Sequence, residues 1–89
     1  MSQVTLYTTS MCPYCVRAKR LLERKGVPYV EFNLDGDWDG RQELVKRAGG
    51  SRTVPQIWVG EVHVGGFDDL NALDRRGQLD PLLEQQGIA

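Results

Sequence analysis

The sequence predicts an α/β protein, a four-stranded mixed sheet flanked by helices. Three observations carry this. The first third reads strand, helix, strand; two β-rich segments further on are separated by only Gly60-Glu61; and glycines close the helical stretches. A strand–helix–strand crossover makes its two strands parallel. So short a connection as Gly60-Glu61 makes the later pair an antiparallel hairpin. The order βαβ, α, ββ, α therefore gives a mixed sheet covered on both faces, not a doubly wound one.

Each element has its own justification. Gln3 to Thr8 alternates and is β-rich, a first strand. Thr9 to Met11 form a loop, and a helix is expected from Pro13 to about Lys25. Cys15, Ala18, Leu21 and Leu22 line one face of it, with Arg17, Lys19, Arg20, Glu23 and Arg24 toward water. Gly26 terminates it. Tyr29 to Leu34 is the second strand. Asp37 or Asp39 caps a second helix through about Ala48, with Leu44, Val45 and Ala48 as its apolar side and Gly49-Gly50 as its end. Gln56-Ile57-Trp58-Val59 and Val62-His63-Val64 are the hairpin strands. Gly65-Gly66-Phe67-Asp68-Asp69 opens a third helix through about Arg76, with Leu70 and Leu73 inward. Asp80-Pro81 reads as an N-cap and first-turn proline of a short last helix docked through Leu79, Leu82 and Leu83.

The chemistry centres on Cys12-Pro13-Tyr14-Cys15, which holds both cysteines of the chain. Their spacing is about one helical turn, so both sulfurs fall on one face within bonding reach. Pro13 suits the first helical position, where its missing N–H has no intrahelical partner. Cys12 is then the N-cap. A thiolate there accepts from the free N–H groups of Tyr14 and Cys15 and sits at the positive end of the helix dipole. Both effects favour S⁻, the nucleophilic form. Cys12 is expected to be reactive and partly exposed. Cys15 is expected to be less accessible and placed to attack a mixed disulfide at Cys12. Two blander roles fit less well. A closed zinc site is tetrahedral, and besides the cysteines the chain offers only the distant His63. A bridge across so short a loop constrains little of the unfolded chain and is a weak staple.

Bulk properties bound the alternatives. Eighty-nine residues are enough for one domain with a single core. A net charge of −1 gives no pull toward nucleic acid or an anionic membrane. No apolar run approaches the ~20 residues of a membrane span. The N-terminal segment has no basic region followed by a long apolar stretch, so a reducing cytoplasm is expected, where a lone C-x-x-C reads as catalytic.

Two further segments bear on function. Val54-Pro55 stands at the start of a strand, where proline cannot donate a ladder bond. A cis peptide there would turn the Val54 backbone toward Cys12 for pairing with an extended peptide. The residues alone favour trans, the majority state. Gly65 to Asp69 could offer helix N-terminal N–H groups to a carboxylate. A plain capped helix start, with Asp68 or Asp69 serving only the helix, fits the same residues.

These segments together resemble the glutaredoxin family, the small bacterial dithiol type in particular. The resemblance spans nearly the whole chain. It rests on Cys-Pro-Tyr-Cys at 12–15, Thr-Val-Pro at 53–55 before Gln-Ile-Trp-Val, and Gly-Gly-Phe-Asp-Asp-Leu at 65–70. It implies a single thioredoxin-fold domain over 1–89 and glutathione as co-substrate, with no tightly bound cofactor or metal. The implied partners are glutathione and disulfide-containing or glutathionylated proteins, not nucleic acid or membrane, with the chain acting as a monomer. Cys12 takes the place of the family's nucleophile and Cys15 of its resolving thiol. Pro55 matches the family's cis-proline. The glutathione groove maps onto Tyr14, Thr53, Val54 and Pro55, with Phe67 and Asp68 at the γ-glutamyl end. The sequence departs from many relatives where Thr8-Thr9-Ser10 stands in place of a segment with a lysine. Arg52 or Arg41 could replace that cation, and each reads equally as a solvated surface charge. Trp58 fits core or rim, Trp38 lies in a polar loop, and His63 reads as structural or exposed.

The reading is therefore a glutathione-dependent thiol–disulfide oxidoreductase. Two other roles use the same residues: an iron–sulfur carrier ligated by Cys12 and glutathione from two chains, and a reductant served by thioredoxin reductase. Pro13 stiffens the site against the former, and the 65–69 segment argues against the latter.

Overall fold

The computed structural model of the chain describes residues 3–88. In chain order the elements are β1 (Val4–Thr8), α1 (Pro13–Arg24), β2 (Tyr29–Asn33), α2 (Trp38–Arg47), β3 (Gln56–Val59), β4 (Val62–Gly65), α3 (Phe67–Arg75) and α4 (Leu79–Gln85). The strands form one sheet in the order β2-β1-β3-β4. β1 runs parallel to β2 and antiparallel to β3, and β3 and β4 form the expected hairpin. The mixed four-stranded sheet flanked by helices is thus as the sequence predicts.

Strand alternation sorts the two faces. Val4 and Leu6 of β1 and Ile57 and Val59 of β3 turn toward α1, α3 and α4. There they meet Ala18, Leu21, Leu22, Leu70, Leu79 and Leu83 in one buried cluster. Burial of each such side chain contributes about 1.5–3 kcal/mol. On the opposite face, Trp58 packs with Leu34, Leu44 and Ala48, bordered by Tyr7 and Val54. Trp58 is therefore core, not rim. Arg47 of α2 closes this layer. Its guanidinium lies 4.8 Å from the Trp58 ring centroid and 5.4 Å from that of Tyr7, and donates to the Tyr7 hydroxyl at 2.6 Å.

Helix boundaries follow local chemistry. Asp37 is the cap chosen for α2, accepting from the Gly40 N–H at 2.9 Å. Gly26 follows the α1 C-cap at φ 69°, a conformation that suits glycine. Two expectations need correction. Asp80 is not the N-cap of α4: Gln78 holds that place and Asp80-Pro81 lie inside the first turn. Proline is tolerated throughout that turn because those N–H groups have no intrahelical acceptor. Val45 is not part of the α2 core stripe. Leu44 and Ala48 fill the interior, while Val45 is half-buried on the outer side.

Ion pairs fasten the scaffold. Lys25, at the end of α1, reaches Asp74 of α3 at 2.8 Å and Asp80 of α4 at 3.1 Å. Hydrogen bonding to Asp74, then Asp80, raises its pKa. Glu31 accepts from Thr8 Oγ1 at 2.6 Å and pairs with Lys19 at 3.1 Å, joining β2 to β1 and α1. The Thr8 hydrogen bond is the main cause of the lowered Glu31 pKa, with Lys19 adding to it.

Candidate active site

The site is built where β1 and β3 end side by side. Tyr7↔Gln56 is the last rung between them, and the loops carrying Cys12 and Val54-Pro55 depart just beyond it. The first loop is stitched to the end of β2. The Ser10 N–H donates to Asp35 at 3.1 Å, and Asn33 Nδ2 donates to Ser10 Oγ at 3.1 Å. Ser10 hydrogen bonding also holds the Asp35 pKa below its ordinary value. The residues that replace the family's lysine segment thus anchor this loop.

Cys12 is the N-cap of α1 and Pro13 its first residue, as expected. The two cysteines form a disulfide with their Cα atoms 5.2 Å apart. Of the two candidate amides, the Cys15 N–H is the one that reaches Cys12 Sγ, at 3.0 Å. This donor and the helix dipole favour a thiolate once the bond is reduced. Cys12 is more enclosed than expected, at 8% exposure, yet less so than Cys15 at 1%. The reason is the facing loop. The Val54 carbonyl oxygen lies 3.7 Å from Cys12 Sγ. In the disulfide this is a plain contact, because the sulfur carries no hydrogen. The Val54–Pro55 peptide is cis, against the reading of the residues alone and in line with the family resemblance.

Beside the sulfur runs an open groove of about 480 Å³. Tyr14, Thr53, Val54, Pro55, Phe67 and Asp68, all proposed from sequence, line it together. Tyr14 and Phe67 face each other with centroids 6.4 Å apart, and Arg17 lies 5.2 Å from the Tyr14 ring centroid. At the far end is the start of α3. Here the aspartates divide their work. Both are exposed and line the groove, but Asp69 accepts from the Gly66 N–H at 3.1 Å and so serves its own helix, whereas Asp68 makes no such cap bond. Gly65 makes this turn possible. Its φ is +114°, and a Cβ would run into the Asp69 carboxylate.

Gln56 and His63 also line the groove, and sequence reasoning passed over both as site residues. The signal was a polar side chain in an otherwise apolar strand: Gln56 is 2% exposed. Its amide nitrogen donates to Thr53 O at 3.0 Å, to Ser51 Oγ at 3.1 Å and to Thr53 Oγ1 at 3.2 Å. Its oxygen meets His63 Nε2 at 2.7 Å. His63 also stacks on Trp58, centroids 4.4 Å apart. Arg41 and Arg52 lie elsewhere, in a separate depression with Trp38, Gln42 and Val45.

A mixed sheet that presents a C-x-x-C disulfide at a helix N-cap, faced by a cis-proline loop, defines a thioredoxin-fold protein of thiol–disulfide chemistry. The family model described as Glutaredoxin matches residues 4–64. A glutaredoxin of Pseudomonas aeruginosa is 60% identical over 83 residues, covering 93% of this chain and 98% of its own. Glutaredoxin 3 of Escherichia coli is 54% identical over 84 residues, covering 94% of this chain and 100% of its own. Among solved structures, a buckwheat glutaredoxin–glutathione complex superposes with a TM-score of 0.88 at 32% identity, covering 98% of this chain and 81% of that one. The chain belongs to the glutaredoxin family.

Proposed function

We propose that the chain is a glutathione-dependent thiol–disulfide oxidoreductase that reduces glutathione mixed disulfides and protein disulfides. The observation that carries this is the placement of Cys12 Sγ, on the Cys15 N–H and against the carbonyl of Val54, a residue that also lines the adjoining groove. The Cys12 thiolate attacks the glutathionyl sulfur of a mixed disulfide. A Cys12–glutathione bond forms and the substrate leaves as its thiolate. A second glutathione thiolate attacks the glutathione sulfur of that adduct, releasing glutathione disulfide and restoring Cys12. With a protein disulfide, Cys15 attacks the Cys12 adduct, leaving the Cys12–Cys15 bond found here and a reduced substrate.

The groove supports a division of contacts. An extended tripeptide pairs with the Val54 backbone at Pro55, flanked by Tyr14 and Thr53. Its γ-glutamyl carboxylate meets the α3 N-terminus at Phe67, and its ammonium meets Asp68. Glutathione is a co-substrate, so no resident cofactor enters. A dithiol returned to its free form by glutathione suits a reducing compartment, which supports a cytoplasmic location; the chain is read as acting as a monomer. One sheet with its helices supports reading residues 1–89 as a single domain. The thioredoxin-reductase client is not favoured, since the groove reaches an exposed Asp68, and the iron–sulfur carrier is not favoured because Pro13 stiffens the helix start beside Cys12.

The test is a glutathione-coupled assay. Cys12→Ser is expected to be inactive, and Cys15→Ser to keep deglutathionylation while losing reduction of protein disulfides. Activity surviving in Cys12→Ser would end this mechanism.

A further inference from the structure

The two sulfurs of the site are not served by the same groups. Cys12 has the N-cap position, the Cys15 N–H at 3.0 Å and the positive end of the α1 dipole. Cys15 lies one turn in, its own N–H is spent on Cys12, and it is buried. Burial disfavours a thiolate. Yet only a thiolate can attack the Cys12 adduct in the resolving step.

The β2 side of the site supplies a cation. Cys15 lines a depression of about 390 Å³ that shares no residue with the groove, together with Ser10, Lys19, Glu31 and Asn33. Lys19 stands four residues after Cys15 on α1, on the same helix face. The sequence places it toward water; in the structure its side chain is only 29% exposed. Its ammonium donates to both Glu31 carboxylate oxygens, at 3.1 and 3.3 Å. Glu31 is held in turn by the hydroxyl of the fully buried Thr8 at 2.6 Å. An ammonium has three donors, so Glu31 leaves one for the depression. The other polar groups are engaged: Asn33 donates to Ser10 Oγ, the Ser10 N–H goes to Asp35, and Arg17 lies over Tyr14. Among the described residues Lys19 is the only cation that lines the depression.

We propose that Lys19 is a positioning residue for the resolving step: anchored by Glu31 and Thr8, it holds Cys15 as the thiolate that attacks Cys12; the proposal rests on the oxidoreductase reading above. The Cys15 thiol gives its proton to solvent, and the Lys19 ammonium stabilises the anion left behind. Cys15 Sγ then bonds to Cys12 Sγ, the bond from Cys12 Sγ to the substrate sulfur breaks, and that sulfur leaves with the electron pair as a thiolate. One disulfide replaces another, so no outside oxidant enters. The Lys19–Glu31 pair is neutral as a whole, but Lys19 shares a helix face with Cys15 while Glu31 stands on β2. Glu31 serves as anchor and not as base, because both its oxygens already accept hydrogen bonds.

Two measurements on the whole chain test this. In Cys12→Ser, the Cys15 thiolate is titrated by its ultraviolet absorbance. Adding Lys19→Met is expected to raise the midpoint by about one pH unit, a tenfold loss of thiolate, and adding Lys19→Arg to leave it near the parent. Next, the reduced chain with Cys12 intact is mixed with oxidised glutathione, and quenched samples are weighed by mass spectrometry. The Cys12–glutathione adduct should convert to the Cys12–Cys15 disulfide about tenfold more slowly in Lys19→Met, and at nearly the wild-type rate in Lys19→Arg. Lys19→Met combined with Glu31→Gln, which leaves no unpaired carboxylate, should show the same loss. Turnover of the mixed disulfide of glutathione and 2-mercaptoethanol, which bypasses Cys15, should stay within about twofold in Lys19→Met. An unmoved midpoint or a wild-type conversion rate in Lys19→Met overturns the proposal. So does a parallel loss on the small disulfide, which would assign Lys19 to the fold or to Cys12. Recovery in the double variant would trace the loss to Glu31 repulsion, and a Lys19→Arg chain as slow as Lys19→Met would trace it to packing; either overturns it. A wild-type chain that takes no glutathione onto Cys12 instead strikes the oxidoreductase reading, and the Cys15 titration still decides the role of Lys19.

Discussion

Gln56 Oε1 accepts a hydrogen bond from His63 Nε2 at 2.7 Å, and the direction of that bond is fixed by its other end. The Gln56 nitrogen faces the Thr53 carbonyl, which can only accept, so the amide oxygen must face His63. His63 Nε2 therefore carries the proton in both the neutral and the cationic ring. The pair spans β3 and β4 and braces the 51–53 loop from below. Gln56→Leu removes the brace and is expected to raise KM for glutathione mixed disulfides by about tenfold, a loss of roughly 1–2 kcal/mol. Gln56→Glu, able to accept from His63 but not to donate to Thr53 O when ionised, should recover little. Wild-type KM in Gln56→Leu would show that the loop needs no such brace.

Asp68 and Asp69 are adjacent but are expected to fail differently. Asp69→Ala should lower the melting temperature, since the lost Gly66 N–H bond is a cap contact of about 1 kcal/mol. Asp68→Asn should leave melting unchanged and raise KM for glutathione disulfide by roughly tenfold, as expected for a bond to a charged group. Gly65→Ala should destabilise the fold, because φ +114° and the Asp69 carboxylate both oppose a Cβ. A common response of the two aspartate variants in both assays would refute the division of roles.

In the reduced chain, iodoacetamide at about pH 6 is expected to alkylate Cys12 and spare Cys15, because only the thiolate is nucleophilic and the N-cap position favours it. Mass mapping of the modified site decides this. Equal labelling of the two cysteines would remove the basis for separate attacking and resolving roles.

Glu31 should make stability depend on pH on the acid side. Its pKa is lowered in the folded state by Thr8 and Lys19, so its contribution is present above the ordinary value of 4.5 and is lost as pH falls through the folded value. Glu31→Gln is therefore expected to be destabilising at neutral pH and nearly silent well below 4.5. On the alkaline side the signs reverse. Lys25 is raised by Asp74 and Asp80, and Tyr29 is pushed up to about 12, chiefly by burial and then by Glu23. Their contributions are complete below their ordinary values and fade as pH rises through the folded ones. Denaturant midpoints measured across pH in wild type and Glu31→Gln check both limbs.

The strands, the cap at Cys12 and the hairpin were legible because each depends on neighbours in sequence. Pro13 and Cys15 define the α1 start by themselves. The cis state at Val54–Pro55 was not, because the residues favour trans and only the family pattern reversed that. Which aspartate caps α3 is not decidable from two adjacent acids, since it depends on which one the Gly66 N–H reaches. Hydropathy alone places Val45 in the core, but α2 meets the sheet through Leu44, Arg47 and Ala48, leaving Val45 beside Trp38. The Gln56–His63 pairing is hidden in the sequence because it crosses a hairpin bulge near Ile57 and Trp58.

The Tyr7↔Gln56 rung has a consequence for anyone altering this scaffold. Both halves of the reaction centre hang from one antiparallel ladder, so its pairing acts as a ruler between sulfur and carbonyl. Slippage by two residues would keep every side chain on its proper face yet carry Val54 about 7 Å away from Cys12. Such a misaligned chain would pass a circular dichroism check and turn over nothing.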